Sequence, residues 1–161
     1  MGRGTALLLA LAGIFTVSIA AAQPRRETPY WASINSGKAM MRVGPGETYR
    51  GLWLYVRRGL PVRVLDIYQS WRKIEDPDGT TGWMKVSLLS DARTAIVRGD
   101  APRPMYEEPD ERSAVRYRAE PGVVGSISRC NAGWCRLDVG GRDGFIRTDH
   151  LWGLGRNETV E

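Results

Sequence analysis

Histidine, cysteine and phenylalanine are scarce in this chain of 161 residues, which contains one His, two Cys and two Phe. A zinc site needs three or four ligands, and His150 has no second histidine to assist it. A nucleophilic cysteine needs a nearby base, which the same single imidazole would have to supply. We therefore expect a protein that is not an enzyme, has no catalytic residue, and holds no metal and no cofactor.

Long apolar runs are absent after residue 22, but one is present before it. Residues 6–22 are uncharged and mostly apolar, follow Arg3, and end in three alanines, a small-residue cleavage pattern. We predict that residues 1–22 are a signal peptide, cleaved after Ala22, and that the mature protein is periplasmic or secreted. The alternative is an uncleaved membrane anchor, because the run is just long enough to span a bilayer. After cleavage no membrane span is expected.

An excess of positive charge is confined to the first half of the mature chain. Residues 23–95 contain 12 basic and 7 acidic side chains, whereas residues 96–161 contain 10 and 11. A mildly basic surface favours anionic polymers of the cell envelope, although an ordinary solvated surface explains the same numbers. We expect no nucleic-acid partner, because the chain has no dense basic stripe.

Turn residues divide the mature chain into short segments, and no helical period is sustained. Gly44-Pro45-Gly46 and Asp76-Pro77-Asp78-Gly79 are typical turns between such segments. Strands are predicted at residues 38–43, 52–56, 61–67, 71–75 and 82–86. The tight spacing of these turns predicts an all-β fold of small barrels or sandwiches, with at most a single helical turn near residues 87–90.

The sequence repeats itself at an offset of 63 positions. The matched pairs are Gly59 with Gly122, Val64 with Ile127, Trp71 with Trp134, and Ile74 with Leu137. The repeat predicts two units, residues 35–95 and 96–153, after a lead-in at 23–34 and before a tail at 154–161. Units this small are marginal alone, so we expect them to pack together. The apolar residues 95–97 are expected to form a strand shared by both units.

Four motifs of the first unit occur in a characteristic order. They are residues 41–46 (MRVGPG), 59–62 (GLPV), 71–74 (WRKI) and 79–84 (GTTGWM). Together they resemble the bacterial SH3-like domain, and more narrowly the exported tandem form found in α-proteobacteria. The resemblance covers about residues 35–153 and implies two tandem SH3-like β-barrels packed together, with little helix. The second unit departs from the pattern at residues 104–109, where the first unit has its Gly-Pro-Gly turn.

The resemblance implies a non-catalytic binding module of the cell envelope. Its expected ligand is a short peptide, either a peptidoglycan stem in the cell wall or a segment of an envelope protein. The alternative is a structural or regulatory partner of another envelope protein, with no independent ligand groove. The two interpretations differ in whether the aromatic side chains of the strands are open to solvent or covered.

Aromatic side chains are the remaining candidates for a peptide groove. Alternation along a strand places Trp71 opposite Ile74, so Trp71 faces outward if Ile74 is in the core. Trp53 and Tyr55 share one face of their strand, and Trp53 is assigned equally to core or groove. An arginine at position 42 could hold a ligand carboxylate or form a surface ion pair. The predicted ligand-binding residues are Trp71, Tyr55, Trp53, Tyr49 and Arg42.

Cys130 and Cys135 flank a predicted hairpin tip in the second unit. Facing positions across a loop of this length can come within disulfide distance, and an exported protein can keep the bond. We predict a disulfide between them. The alternative is a pair of reduced, buried thiols.

Overall fold

The computed structural model describes Met1 and residues 26–161, so the predicted signal peptide and its cleavage site lie outside the described residues. The described chain forms fourteen β-strands and two single-turn 3-10 helices, Val86–Leu88 and Thr148–His150. The first of these turns overlaps the segment where a helical turn was expected. The all-β prediction with little helix is confirmed.

Seven strands of the first unit form one sheet, in the spatial order β3-β2-β6-β5-β4-β1-β7. The strands are β1 Tyr30–Ile34, β2 Ala39–Arg42, β3 Gly51–Tyr55, β4 Pro61–Tyr68, β5 Trp71–Glu75, β6 Thr81–Lys85 and β7 Leu89–Ser90. Every pairing in this sheet is antiparallel, as expected for strands joined by short turns. β3 ends the sheet and, among the strands of residues 26–161, pairs with β2 alone, so no described strand lies on its other edge.

The second unit repeats the same arrangement, in the order β10-β9-β13-β12-β11-β8-β14. Its strands are β8 Thr94–Val97, β9 Arg103–Tyr106, β10 Val115–Ala119, β11 Val124–Asn131, β12 Trp134–Val139, β13 Arg142–Arg147 and β14 Leu151–Trp152. β10 takes the edge position that β3 has in the first unit. The internal repeat seen in the sequence is therefore a repeat of the whole sheet.

Two segments take part in the sheets differently from the sequence expectation. The predicted lead-in contains β1, which pairs with β4 and buries Ala32 and Ile34 in the core of the first unit. The predicted shared strand, β8, pairs only with β11 and β14 of the second sheet, so that prediction is wrong. The first strand of each sheet, β1 or β8, thus comes before the turn motifs of its unit in the sequence. Because neither strand contains such a motif, the motifs did not indicate its place in the sheet.

Each unit has its own hydrophobic core. The two units also contact each other through side chains that belong to neither core. Arg57 Nη1 donates a 2.8 Å hydrogen bond to the carbonyl of Gly122, and Arg98 Nη1 donates one of 2.8 Å to the carbonyl of Pro77. The rings of Trp31 and Trp152 meet edge to face with their centroids 4.8 Å apart. The expectation that the units pack together is confirmed.

The predicted disulfide is present, joining Cys130 of β11 to Cys135 of β12. Both residues are fully buried in the core of the second unit. The hairpin between them turns at Ala132 and Gly133, whose φ values of 48° and 83° are both positive. Two positive φ angles are the geometry of the tight type I′ hairpin, and glycine at the second position adopts it without steric cost.

Candidate functional site

Tyr55 and Trp71, predicted to line an open groove, are both buried. Tyr55 is 7% exposed and Trp71 is 8% exposed. Trp71 does lie on the opposite face of β5 from Ile74, as alternation requires, but Tyr68 and Lys85 face it from the neighbouring strands. Cross-strand neighbours lie close enough for long side chains to cover one another. The expectation that Tyr55 and Trp71 form a solvent-exposed pair is therefore wrong, although Trp71 lies on the predicted face of β5.

The buried phenol of Tyr55 holds a turn in place. Its hydroxyl donates a 2.7 Å hydrogen bond to Oδ2 of Asp76, a carboxylate that is itself only 6% exposed. The other oxygen of Asp76 accepts from the backbone N–H groups of Asp78, at 3.0 Å, and Thr80, at 2.8 Å. Burial and the bond to Asp76 raise the pKa of Tyr55 well above its ordinary value. Tyr55 is therefore a structural residue, and Asp76 is its partner.

Sequence reasoning missed the role of Asp76, although a signal for it was present. An aspartate that begins an Asp-Pro-Asp-Gly turn commonly accepts hydrogen bonds from the backbone of the residues that follow it. A tyrosine on another strand of the same barrel is one of the few side chains long enough to reach such a carboxylate. Sequence spacing alone does not reveal that these two residues are neighbours.

Tyr49 lies in the loop between β2 and β3, which the Gly-Pro-Gly turn shapes, and Arg42 is the last residue of β2. The ring of Tyr49 packs against Gly44, where an added Cβ would lie only 2.4 Å from the ring, and against Gly46. Arg42 Nη1 donates a 2.7 Å hydrogen bond to the carbonyl of Tyr49. The turn therefore positions Tyr49, which remains 48% exposed, and Arg42 fixes the loop to β2.

Trp53 is on the surface, in the middle of an apolar strip along the edge strand β3. Its side chain is 61% exposed, although its cross-strand partner Met41 is fully buried. The other exposed apolar residues of this strip are Leu52, Leu54 and Val56. We call these four residues the β3 strip. Consecutive apolar residues exposed on both faces of an edge strand are unusual, because soluble proteins normally protect such edges with charge or cover.

A pocket of about 320 Å3 opens beside the β3 strip. It is lined by Trp53, Tyr55, Leu60, Asp76, Pro77, Asp78, Thr80 and Ile96. Ile96 belongs to β8, so the second unit supplies one wall. We call this the first-unit pocket. Its position at the end of β3 places it within reach of a chain that lies along that strand.

The second unit has a pocket at the equivalent position. Gly82 approaches the side chain of Met41 in the first unit, and Gly144 approaches Met105 in the same way in the second. Met41 pairs across strands with Trp53, and Met105 pairs with Tyr117. This match aligns β3 with β10. It shows that the pocket of about 470 Å3 beside β10, which we call the second-unit pocket, occupies the corresponding place.

The two pockets differ in size and in charge. The second-unit pocket is lined by Met105, Tyr117, Arg118, Ala119, Glu120, Val123, Val139 and Arg142. By the same alignment, Ala119 and Val139 stand where the first unit has Tyr55 and Asp76. Smaller side chains without a hydrogen bond leave more space. The lining of the second-unit pocket includes two arginines and one glutamate, whereas that of the first-unit pocket includes two aspartates and no basic residue.

A third cleft, of about 530 Å3, lies where the beginning of the described chain meets the C-terminal tail. Arg93 and Glu158 form an ion pair of 2.6 Å on its wall. Burial would raise the pKa of Glu158, but hydrogen bonds from Arg93 and from the N–H of Gly155 outweigh it and hold that pKa below its ordinary value. The tail predicted at residues 154–161 is thus attached to the second unit, and Val160 pairs with Cys130.

Neither metal-ligand clusters nor spanning helices occur in the described residues. In residues 26–161, no group of three or more His, Cys, Asp or Glu side chains is placed to hold a metal ion. No helix in the same part of the chain is long and apolar enough to cross a membrane.

The fold and the repeated strand order define a protein of two SH3-like β-barrels in tandem. A family model described as the bacterial SH3 domain matches residues 35–91 and, separately, residues 99–153. The chain therefore belongs to the bacterial SH3 domain family. This is the family that the motifs of the first unit resemble, and the match extends to the second unit despite its different turn. That family domain is a binding domain and not a catalytic one.

Some solved structures are similar to this chain at low sequence identity. NlpC2 from Trichomonas vaginalis is 14% identical, with a TM-score of 0.35 over 80% of this chain and 49% of its own. An NlpC/P60 family protein from Bacillus cereus is 12% identical, with a TM-score of 0.35 over 76% of this chain and 56% of its own. The chain spans about half the length of these structures. No curated protein matches its sequence.

Proposed function

We propose that this protein is a non-catalytic binding module of the cell envelope that holds an extended peptide along β3. The observation that carries the proposal is the β3 strip, where exposed apolar side chains coincide with a free strand edge. A peptide that adds to a sheet edge gains main-chain hydrogen bonds, and its alternate side chains enter adjacent pockets. The first-unit pocket at the end of this strand would receive one of them.

Trp53 is the residue expected to contribute most to this binding. An exposed indole offers a large flat apolar area at a small cost in conformational entropy, and tryptophan is enriched among residues that dominate binding energy. Tyr49 lies in the loop before β3 and extends the aromatic surface, while Arg42 holds that loop. Arg57 and Arg58 follow the strip and are exposed, which favours a peptide carrying carboxylates.

A peptidoglycan stem or a segment of an envelope protein satisfies these requirements. Cleavage of the predicted signal peptide would leave the mature chain in the periplasm or outside the cell, and the disulfide supports an oxidising compartment. Membership of a family of binding domains supports a binding role.

The alternative function is a structural partner whose β3 strip is covered permanently by another envelope protein. The size of the apolar strip favours this alternative, because a stable interface needs contiguous apolar area. The two functions differ in whether the purified protein binds cell-wall material by itself.

The test is a pull-down of the purified mature protein on purified sacculi, with and without Trp53→Ala. We expect retention by the wild type and a loss of about tenfold in affinity for the variant, the effect of removing one binding hot spot. Val86→Ala is the control, since Val86 is an exposed apolar residue of the same unit, 38% exposed, that lies outside the strip. No retention of the wild type would contradict cell-wall binding. Equal loss in both variants would contradict the site.

A further inference from the structure

The second-unit pocket has a composition that the proposed function does not use. We propose that it binds the C-terminal carboxylate of a peptide whose last side chain is apolar. Arg118 and Arg142 would hold the carboxylate, and Tyr117, Val123 and Val139 would contact the side chain.

The charges at the pocket favour an anionic group. Arg118 and Arg142 are exposed and form no ion pair with any residue in the described part of the chain. Two other arginines of this unit share one carboxylate: Arg136 and Arg116 approach Asp143, at 2.6 and 3.7 Å. Glu120 is the single acidic residue of the lining, so the pocket retains a positive charge. A pair of guanidinium groups matches a carboxylate in both charge and geometry.

The interior of the pocket favours an apolar group next to that anion. In the first unit the corresponding space is partly filled by the side chains of Tyr55 and Asp76, and their hydrogen bond makes that space polar. In the second unit Ala119 and Val139 replace that pair, and Met105 is buried beneath them. The result is a wider site, about 470 Å3 against 320 Å3, with an apolar floor and a cationic rim.

The edge strand β10 favours a peptide over a free anion. Within the described part of the chain β10 pairs with β9 only, so its outer edge offers backbone N–H and C=O groups to an added chain. Its last residues, Tyr117 to Ala119, line the pocket, so a peptide that pairs with β10 brings its terminus there. Inorganic phosphate would satisfy the arginines but would use neither the edge nor the apolar floor.

The test measures binding of acetyl-Ala-Ala-Leu with a free carboxylate and of the same peptide as its C-terminal amide. Calorimetry is done on the purified full protein and on the variants Arg118→Gln, Arg142→Gln and Arg129→Gln. Arg129 is an exposed arginine of the same unit that does not line the pocket, so it is the matched control. Thermal unfolding of each variant confirms that the fold is intact.

We expect the acid to bind about tenfold more tightly than the amide, as charge-assisted hydrogen bonds require. Arg118→Gln and Arg142→Gln should abolish that preference, while Arg129→Gln keeps it. Equal binding of acid and amide, or equal losses in all three variants, would overturn the proposal. Competition by millimolar phosphate as strong as that by the free peptide would show a general anion site and overturn the peptide assignment. Trp53→Ala should leave this binding unchanged, so the test fails or succeeds independently of the β3 strip.

Discussion

The Tyr55 hydroxyl and the Asp76 carboxylate form a buried hydrogen bond of 2.7 Å that links β3 to the turn after β5. Removal of the hydroxyl leaves a buried carboxylate oxygen without its donor. We expect Tyr55→Phe to lower the free energy of unfolding by about 1–3 kcal/mol, the usual cost of an unsatisfied buried group. Chemical denaturation measures the change. Tyr68→Phe, at an exposed tyrosine, should alter stability by less than about 0.5 kcal/mol, and equal effects would contradict the role given to Asp76.

Trp71 and Trp53 should behave in opposite ways when truncated. Trp71 is 8% exposed, so Trp71→Ala should lower the free energy of unfolding by about 3–5 kcal/mol through loss of packing. Trp53 is 61% exposed, so Trp53→Ala should change it by less than about 0.5 kcal/mol. Thermal unfolding of the two variants compares them directly. A stable Trp71→Ala protein would show that its ring is not part of the packed interior.

The C-terminal tail should detach in acid. The pKa of Glu158 is lower in the folded protein than its ordinary value of 4.5, so its ion pair with Arg93 stabilises the folded tail at neutral pH. That contribution is complete above pH 4.5 and is lost as the pH falls through the lower folded value. Hydrogen exchange at the amide of Val160, which bonds to the carbonyl of Cys130, reports the attachment.

A tail variant provides the control for this acid response. Glu158→Gln should show fast exchange of the Val160 amide already at neutral pH, and its exchange should no longer respond to Glu158 protonation. Unchanged protection of that amide in the variant would mean that backbone pairing alone holds the tail.

The disulfide should contribute modestly to stability. A loop closed by Cys130 and Cys135 is short, with a sequence separation of 5, and the loop-entropy relation gives about 2 kcal/mol for so small a ring. We expect that loss of unfolding free energy in the double variant Cys130→Ser, Cys135→Ser. Mass spectrometry of the exported protein should show the peptide with both cysteines lighter by two hydrogens. Labelling of free thiols there would contradict the bond.

Strand positions could be predicted from the sequence because turn residues mark both ends of a strand. β5 was predicted at its observed bounds, since Gln69-Ser70 and Asp76-Pro77 are turn residues on either side. The exposure of Trp71 could not be predicted in the same way. Alternation determines the face of the sheet on which a side chain lies, whereas burial depends on the neighbours that cover that face. Those neighbours, Tyr68 and Lys85, come from the register of three strands.

The second-unit pocket could not be predicted from the sequence, because it results from the absence of the tyrosine and the aspartate that fill the corresponding space in the first unit. Ala119 and Val139 are ordinary residues in the sequence, 20 positions apart. Their significance follows only from aligning β10 with β3 in space and seeing that they replace a hydrogen-bonded pair. Such a substitution changes the chemistry of a site without creating a motif.

One cleft is lined by residues from both ends of the described fold, Arg26 and Pro29 from its beginning and Gly155 and Glu158 from its tail. This proximity makes the chain suitable for circular permutation. When both ends of a fold lie together, the order of its segments can be rearranged without moving any strand. Joining residue 161 to residue 26 by a linker keeps the pairing of Val160 with Cys130. Together with opening the chain at the exposed residues 111–112, it should give a circularly permuted protein that still folds. The new ends would lie in the loop between β9 and β10, where the protein could be attached to a host protein.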